Sequence, residues 1–256
     1  MNEEVIIITG ATKGIGKSTA KLLAAKGAAV VVNGRHSSSV DQVVDDIRVN
    51  GGKAAGAAIS VTDPEAGDVL TDTALQHFGK VTGLINNAGV IHDRIFHRME
   101  LQEFTEVMDV HVKGTFICSQ AVTNYFKSTH TPGFLLHMTS LAGLIGTVGQ
   151  VNYSAAKAAI IGMMMTMAKE LERDHIQVNA VAPAAKTDMT RPFLEKLELS
   201  SATEEEKQYW EIGTADQVAD FLAGFIQNRS MDQTGVVYSI NKDEAGIWLP
   251  PSYVML

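Results

Sequence analysis

A chain of 256 residues, 45% hydrophobic and 20% charged, has ordinary globular composition and can bury an ample core. Its formal charge of −8 argues against a nucleic-acid backbone as partner, since binding phosphates needs a basic surface, but leaves room for a local basic pocket around a small phosphorylated ligand. The single Cys118 excludes an internal disulfide and reads as a small buried apolar residue in a reducing compartment.

In chain order, the acidic start up to Glu4 leads straight into a strand, so no signal peptide is read. No apolar run approaches the ~18 residues of a membrane span, and a cytoplasmic protein is expected. Val5-Ile6-Ile7-Ile8 is a short β-branched run, the pattern of a strand buried on both faces. A helix is predicted over Lys17 to Lys26, a strand over Ala29 to Val32, a helix over Asp41 to Val49 and a weaker strand over Ala54 to Ile59. Asp63-Pro64 opens a helix that reaches Phe78. Gly83 to Asn86 is a strand, Leu101 to Tyr125 one or two helices, Gly133 to Met138 a strand and Tyr153 to Glu172 a long helix. A strand over Ile176 to Val181, a helix over Asp216 to Gln227 and a last strand over Thr234 to Ile240 complete the pattern. Strand and helix alternate without linker or repeat, which predicts one α/β domain over residues 1–256. Its core would be a doubly wound, Rossmann-type parallel sheet with helices on both faces. Ligands on such sheets sit beyond the carboxyl ends of the strands, near the switch in strand order.

Three segments carry chemistry. The turn Thr9-Gly10-Ala11-Thr12-Lys13-Gly14-Ile15-Gly16 follows a buried strand and opens a helix, the context of a nucleotide-binding glycine motif. Its glycines let the backbone approach a pyrophosphate, and free N–H groups at the helix start favour the charge. Alone, it also fits a tight turn without a ligand. Tyr153 and Lys157 stand four apart on one helix face, where a nearby ammonium is expected to lower the phenol pKa from ~10 toward the working range of a general acid or base. Ser140, thirteen residues before Tyr153 and just ahead of Ala142-Gly143, is placed to hydrogen-bond a substrate oxygen. A Tyr-x-x-x-Lys match alone is weak; Ser140 sharpens it.

Together with Asn86-Asn87-Ala88-Gly89, these segments resemble the short-chain dehydrogenase/reductase family over nearly the whole chain, including its Gly-x-x-x-Gly-x-Gly spacing. The resemblance implies hydride transfer between a nicotinamide and a carbonyl or alcohol carbon. It assigns catalysis to Ser140, Tyr153 and Lys157. It puts Gly10, Thr12, Lys13, Gly14, Ile15 and Gly16 at the pyrophosphate end of the cofactor, Ser60 and Val61 at the adenine, and Asn87, Ala88 and Gly89 near the ribose. Pro183 and Thr187 would face the nicotinamide, Tyr153 and Lys157 its ribose, and Asn86 would tie the sheet.

Several positions depart from the family pattern. NAD-binding members usually carry Asp at the end of the second strand; Gly34-Arg35 stands here, and with Lys13 it favours NADP(H) over NAD(H). Ser60-Val61 replaces Asp-Val, and Pro183-Ala184 replaces Pro-Gly in a run to Thr187 that is one residue short. His111 occupies the usual Asn position, as in the hydroxyacyl-CoA dehydrogenase portion of peroxisomal multifunctional enzymes. Imidazole titrates near neutral pH and can join a proton relay, or it braces the helix. Residues about 188–213, with Phe193, Leu194, Leu197, Tyr209 and Trp210, fall where the family keeps a substrate lid. The tail 241–256 is too apolar to hang free and is expected to dock on its own or a neighbouring subunit. The helix after Tyr153, with Met163, Met164, Met165 and Met167, suits a homodimer or homotetramer. The reading is an NADP(H)-dependent carbonyl reductase of a small molecule, with a 3-oxoacyl thioester favoured and a steroid, sugar or secondary-metabolite ketone as alternatives. A non-catalytic dinucleotide-binding sensor or scaffold is the rival class. No metal, membrane or nucleic-acid partner is expected.

Overall fold

A computed structural model describes residues 1–191, 194–195, 203, 211–230 and 233–249. Within them the strands are β1 (Val5–Ile8), β2 (Ala29–Gly34), β3 (Lys53–Ala58), β4 (Gly83–Asn86), β5 (Gly133–Met138), β6 (Ile176–Lys186), β7 (Gly213–Thr214), β8 (Val237–Asn241) and β9 (Glu244–Trp248). The helices are α1 (Gly14–Ala25), α2 (Ser37–Val49), α3 (Ala66–Phe78), α4 (Leu101–Met108), α5 (Gly114–Thr129), α6 (Ala142–Ile145), α7 (Val151–Leu171) and α8 (Ala215–Asn228). The sheet runs in the order β3-β2-β1-β4-β5-β6-β8-β9, with the short β7 beside the end of β6.

The alternation of side chains explains why the strands read as unbroken apolar runs. Ile6 and Ile8 of β1 point into one core with Leu23 of α1, Val43 and Ile47 of α2, and Leu222 and Ile226 of α8. Val5 and Ile7 point into the other, with Leu70 of α3, Val122 and Phe126 of α5, and Met164 and Leu171 of α7. Helices on both faces leave the central strands no solvated side, so β1 is apolar at every position.

The sheet is parallel except at one edge. The strand expected to be last starts three residues later, at Val237, and is followed by β9, which turns back at Lys242-Asp243 to pair antiparallel with β8. Five residues of the expected tail therefore extend the sheet edge. The third helix begins at Ala66, not at Pro64: the Asp63 carboxylate accepts the Glu65 N–H, spending Asp63 and Pro64 on the preceding turn. Of the expected lid, Phe193, Leu197, Tyr209 and Trp210 lie outside the described residues, as does the tail from Pro250 onward. No helix among the described residues is long and apolar enough to cross a membrane.

A buried polar knot joins β4, β5 and α5. Asn86 Nδ2 donates to Ser119 Oγ at 2.9 Å and stands 3.1 Å from His137 Nδ1. Burial pushes the His137 imidazole down to about 4 from its ordinary value. The unfolded chain takes up a proton near pH ~6.5 that the folded chain refuses until much lower pH, so this contribution is complete above pH ~6.5 and is lost on acidification. Unfolding free energy should fall by about 1.4 kcal/mol per pH unit from this group over the interval. Urea titrations across that range, with the His137 ring followed by NMR, check it; a ring titrating near its ordinary value would refute it.

Candidate active site

The site grows from the carboxyl ends of β1 and β4, where the strand order reverses. Thr9 Oγ accepts the N–H groups of Asn87 at 2.9 Å and Ala88 at 3.1 Å, and Asn87 Nδ2 returns hydrogen bonds to the carbonyls of Thr9 and Gly10, both at 3.0 Å. From the other side, buried Asn33 accepts the Gly10 N–H at 3.3 Å and donates to the carbonyls of Ala57 at 3.1 Å and Ile59 at 2.9 Å. The glycine turn is thus pinned between three strand ends. Sequence reasoning missed the roles of Thr9 and Asn33.

The glycines divide by role. Gly10 has φ +62, and a Cβ there would come 2.7 Å from the Ala88 Cα, so it serves packing. Gly14 has φ +55 and open space except for the Thr187 methyl, 3.5 Å from a Cβ position. Helix α1 starts with no side-chain cap from Lys13 and no acidic residue in its first turn, and the N–H groups of Gly14, Ile15 and Gly16 have no acceptor among the described residues. An anion is what that end fits. Thr12 fills the space over Gly34, where a Cβ would meet its methyl at 2.5 Å. Lys13 and Arg35 are exposed and pair with no carboxylate among the described residues. Ser60 shares a hydrogen bond with the Thr62 hydroxyl at 2.9 Å, and Val61 is buried against Gly114.

At the far end of the crevice, β5 delivers Met138, Thr139 and Ser140 to the first turns of α7. Lys157 Nζ donates to the Met138 carbonyl at 2.7 Å, and the Thr139 hydroxyl donates to the Lys157 carbonyl at 2.9 Å. The ammonium stands 5.4 Å from the centre of the Tyr153 ring. Ser140 Oγ accepts the Ala142 N–H at 3.2 Å, and the Ser140 side chain acts on the Tyr153 hydroxyl in the sense that favours its phenolate. The expected lowering of the tyrosine pKa is overturned. Burial pushes Tyr153 up to about 12, against the Ser140 side chain and with a contribution from the Asp93 carboxylate. Burial also brings Lys157 down to about 7.

His111 sits in a π-helical turn, Asp109–Lys113, between α4 and α5. Its Nε2 stands 2.9 Å from the Val90 carbonyl oxygen and 3.2 Å from the Val90 nitrogen, and its ring meets Tyr153 edge-on at 5.3 Å. Its Nδ1 is buried without a hydrogen-bond partner among the described residues. Burial, helped by the Lys157 charge, lowers the imidazole to about 3, so it does not titrate near neutral pH as expected. Thr187 opens the turn after β6, its N–H donating to Thr190 Oγ at 2.9 Å. Pro183 and Ala184 lie within β6 itself, which continues to Lys186 where a loop was expected. The sequence also gave no notice of Asn152, fully buried beside Tyr153.

A doubly wound sheet with a glycine turn at the switch point, and Ser, Tyr and Lys converging at its far end, is the arrangement of a nicotinamide-dependent oxidoreductase. The sequence profile of the short chain dehydrogenase family matches residues 4–198, and the chain belongs to that family. It is 42% identical over 192 residues to a 3-oxoacyl-[acyl-carrier-protein] reductase of Synechocystis sp., covering 74% of this chain and 77% of that protein. It is 41% identical over 201 residues to the peroxisomal hydratase-dehydrogenase-epimerase of Saccharomyces cerevisiae, covering 75% of this chain but only 22% of that longer protein. The crystal structure of a short chain dehydrogenase from Mycobacterium avium superposes with a TM-score of 0.86 at 31% identity, covering 99% of this chain and 87% of that one. The protein is an oxidoreductase that transfers a hydride with a nicotinamide dinucleotide. The free N–H groups of α1 and the open space at Gly14 fit the pyrophosphate of that cofactor.

Gly10 and Gly14 should therefore respond differently to alanine. Gly10→Ala forces apart the β1 and β4 ends and should cost about 2 kcal/mol or more of stability. Gly14→Ala should cost about 1 kcal/mol of backbone strain yet weaken dinucleotide binding roughly tenfold or more, because the methyl enters the cradle. Thermal melts and fluorescence titration separate the two; equal effects on both readouts would contradict the division.

Proposed function

We propose that the protein is an NADP(H)-dependent reductase of 3-oxoacyl thioesters, able to run in reverse on the 3-hydroxy compound. The observation that carries the reading is the gathering of Ser140, Tyr153 and Lys157 at one end of the crevice, with the lysine ammonium 5.4 Å from the centre of the tyrosine ring and tied to the strand that leads to Ser140. The name of the Synechocystis relative supports the substrate class, and that of the yeast relative a dehydrogenase activity. When bound, the cofactor supplies the hydride. Ser140 donates a hydrogen bond to the substrate oxygen and holds it beside Tyr153. Tyr153, kept protonated by its environment, delivers its proton to that oxygen as the carbon is reduced. Lys157 holds the nicotinamide ribose, and its ammonium, made more acidic by burial with a pKa brought to about 7, gives a proton back to the tyrosine and is left as the neutral amine until it is reprotonated from water. His111 joins this relay as a neutral group through Nδ1. The other cofactor contacts are proposed as the family resemblance implies, Gly10 apart since it packs against Ala88: Thr12, Lys13, Gly14, Ile15 and Gly16 at the pyrophosphate end, Ser60 and Val61 at the adenine, Asn87 to Gly89 at the ribose, and Pro183 with Thr187 at the nicotinamide.

Preference for NADP(H) rests on Arg35 and Lys13, two exposed cations that pair with no carboxylate among the described residues, and on Thr12 filling the place over Gly34. Guanidinium geometry suits a ribose phosphate. A homodimer or homotetramer belongs to the same reading, supported by an open apolar depression between Met108, Val112, Phe116 and Met163 on the α5–α7 side. So does a cytoplasmic, reducing location, supported by the buried Cys118, whose thiol burial pushes up to about 12.

Tyr153→Phe removes only the acid/base proton. It should leave fold and cofactor affinity in place while lowering kcat about 10²–10⁴-fold. Steady-state kinetics on a 3-oxoacyl thioester, beside a cofactor titration, read this out, and near-native turnover would overturn the mechanism.

Arg35→Ala should weaken NADPH binding about tenfold or more and leave NADH nearly unchanged, since only NADPH carries the phosphate it would pair with. Paired titrations of both cofactors decide the matter. Equal losses, or a wild-type preference for NADH, would refute the assignment.

A further inference from the structure

Lys157 and Tyr153 share helix α7 but are held by different means. Lys157 is tied to β5 through its Nζ, which donates to the Met138 carbonyl, and through its own carbonyl, which accepts the Thr139 hydroxyl. Tyr153 lies one turn earlier, in the first turn of the helix, where N–H groups lack intrahelical acceptors and the backbone is least restrained. Gln150, at the cap position, gives that turn no side-chain hydrogen bond. The tyrosine hydroxyl stands at the far end of its ring, so a small tilt of the turn is enlarged at the reacting atom.

Asn152 supplies the missing restraint. Its side chain is fully buried. Oδ1 accepts the Tyr153 N–H at 2.8 Å, and Nδ2 donates to the carbonyls of His92 at 2.9 Å and Glu103 at 3.2 Å, so both amide hydrogens are in use. The two carbonyls lead to one place. His92 lies two residues beyond Val90, whose carbonyl oxygen stands 2.9 Å from His111 Nε2. Glu103 lies in α4, which runs on into the π-turn that carries His111. The His111 ring then meets the Tyr153 ring edge-on at 5.3 Å. The tyrosine is thus fixed against the same two segments at both ends, its backbone through Asn152 and its ring through His111. The nearby link from Gln150 Nε2 to Asp93 Oδ1, at 3.0 Å, is exposed and reaches only the loop after β4.

We propose that Asn152 is the positioning residue of the proton donor: it holds the first turn of α7 so that the Tyr153 hydroxyl meets the substrate oxygen, and it acts on turnover only through that tyrosine. This rests on Tyr153 being the proton donor. A helix cap needs an acceptor alone; the two donors aimed at the segments that hold His111 are what a cap leaves unused. Cofactor binding should be indifferent to Asn152, since the glycine turn is pinned by other side chains, Thr9, Asn33 and Asn87.

The test measures kcat of the full-length enzyme with NADPH on whichever ketone the wild type turns over fastest: a 3-oxoacyl N-acetylcysteamine thioester, a steroid ketone or a small diketone. Fluorescence titration with NADPH counts folded sites, so unfolded protein does not register as lost turnover. Asn152→Ala should lower kcat about tenfold to a hundredfold, the effect of displacing a reacting group by about 1 Å, with NADPH affinity within about twofold of wild type. Asn152→Ser, which keeps a polar group in the buried space, should show a loss of the same order and stands in if the alanine variant does not fold. Gln150→Ala should stay near wild type. The deciding measurement is the double variant: in a Tyr153→Phe background, Asn152→Ala should change the residual rate by less than about twofold, because no phenol is left to position. Equal fold-losses in both backgrounds make Asn152 a general structural support and overturn the proposal while leaving Tyr153 as the donor. Near-wild-type kcat in Asn152→Ala, or as large a loss in Gln150→Ala, overturns it in the same way. Near-native turnover in Tyr153→Phe, or a wild type without turnover on any ketone, overturns the tyrosine reading and the proposal with it.

Discussion

The tie between Thr9 and Asn87 holds the two halves of the molecule in register. At the end of β1 the chain turns one way into α1, and at the end of β4 it turns the other, so the ladder between them must stop there. The backbone groups freed at that point have no sheet partner and, being buried, need one. Thr9 Oγ takes two N–H groups from the β4 side, and the Asn87 amide takes two carbonyls from the β1 side. With the join closed by side chains, the gap beyond it stays open as a crevice. Asn33 repeats the device one strand over. The cradle is rigid before any ligand arrives, which spares binding the cost of ordering it.

Desolvation acts on both members of the catalytic pair in one sense: it disfavours charge. Tyr153 is pushed toward the phenol and Lys157 toward the amine. An ammonium beside a phenol would lower the phenol's pKa in water, but here the lysine points its donor at the Met138 carbonyl and the cost of burial wins. A tyrosine that holds its proton is in the form that donates to a carbonyl oxygen; its conjugate base takes the proton when the same step runs in reverse. The Ser140 side chain opposes the shift and keeps the proton within reach of transfer.

The elements legible in the sequence were those whose cause is local. Val5–Ile8, Gly83–Asn86 and Gly133–Met138 are short apolar runs that stay strands wherever a doubly covered sheet puts them. The glycine turn and the Tyr153–Lys157 spacing are likewise fixed by neighbours in sequence. What escaped depends on partners far along the chain. Asn33 and Asn152 act through hydrogen bonds to residues 23 to 60 positions away, and an asparagine carries no mark of that. The return of β9 onto β8 depends on the open edge of β8 as much as on the tail's own residues. The π-turn at Asp109–Lys113 adds one residue to a helical repeat that apolar spacing leaves unbroken.

That π-turn fixes the imidazole at the position where the family resemblance implies an amide. The extra residue keeps the His111 ring on the Val90 backbone and edge-on to Tyr153. The room for it comes from Gly89, where a Cβ would lie 2.4 Å from the ring's Cε1. A charged ring so close to Lys157 would oppose the ammonium, but burial and that same lysine hold the imidazole near 3, where it is neutral at any working pH. A neutral imidazole offers what an amide offers, a donor and an acceptor without net charge. The substitution therefore leaves the electrostatics of the tyrosine–lysine pair as asparagine would, and changes only which atoms carry the hydrogen bonds.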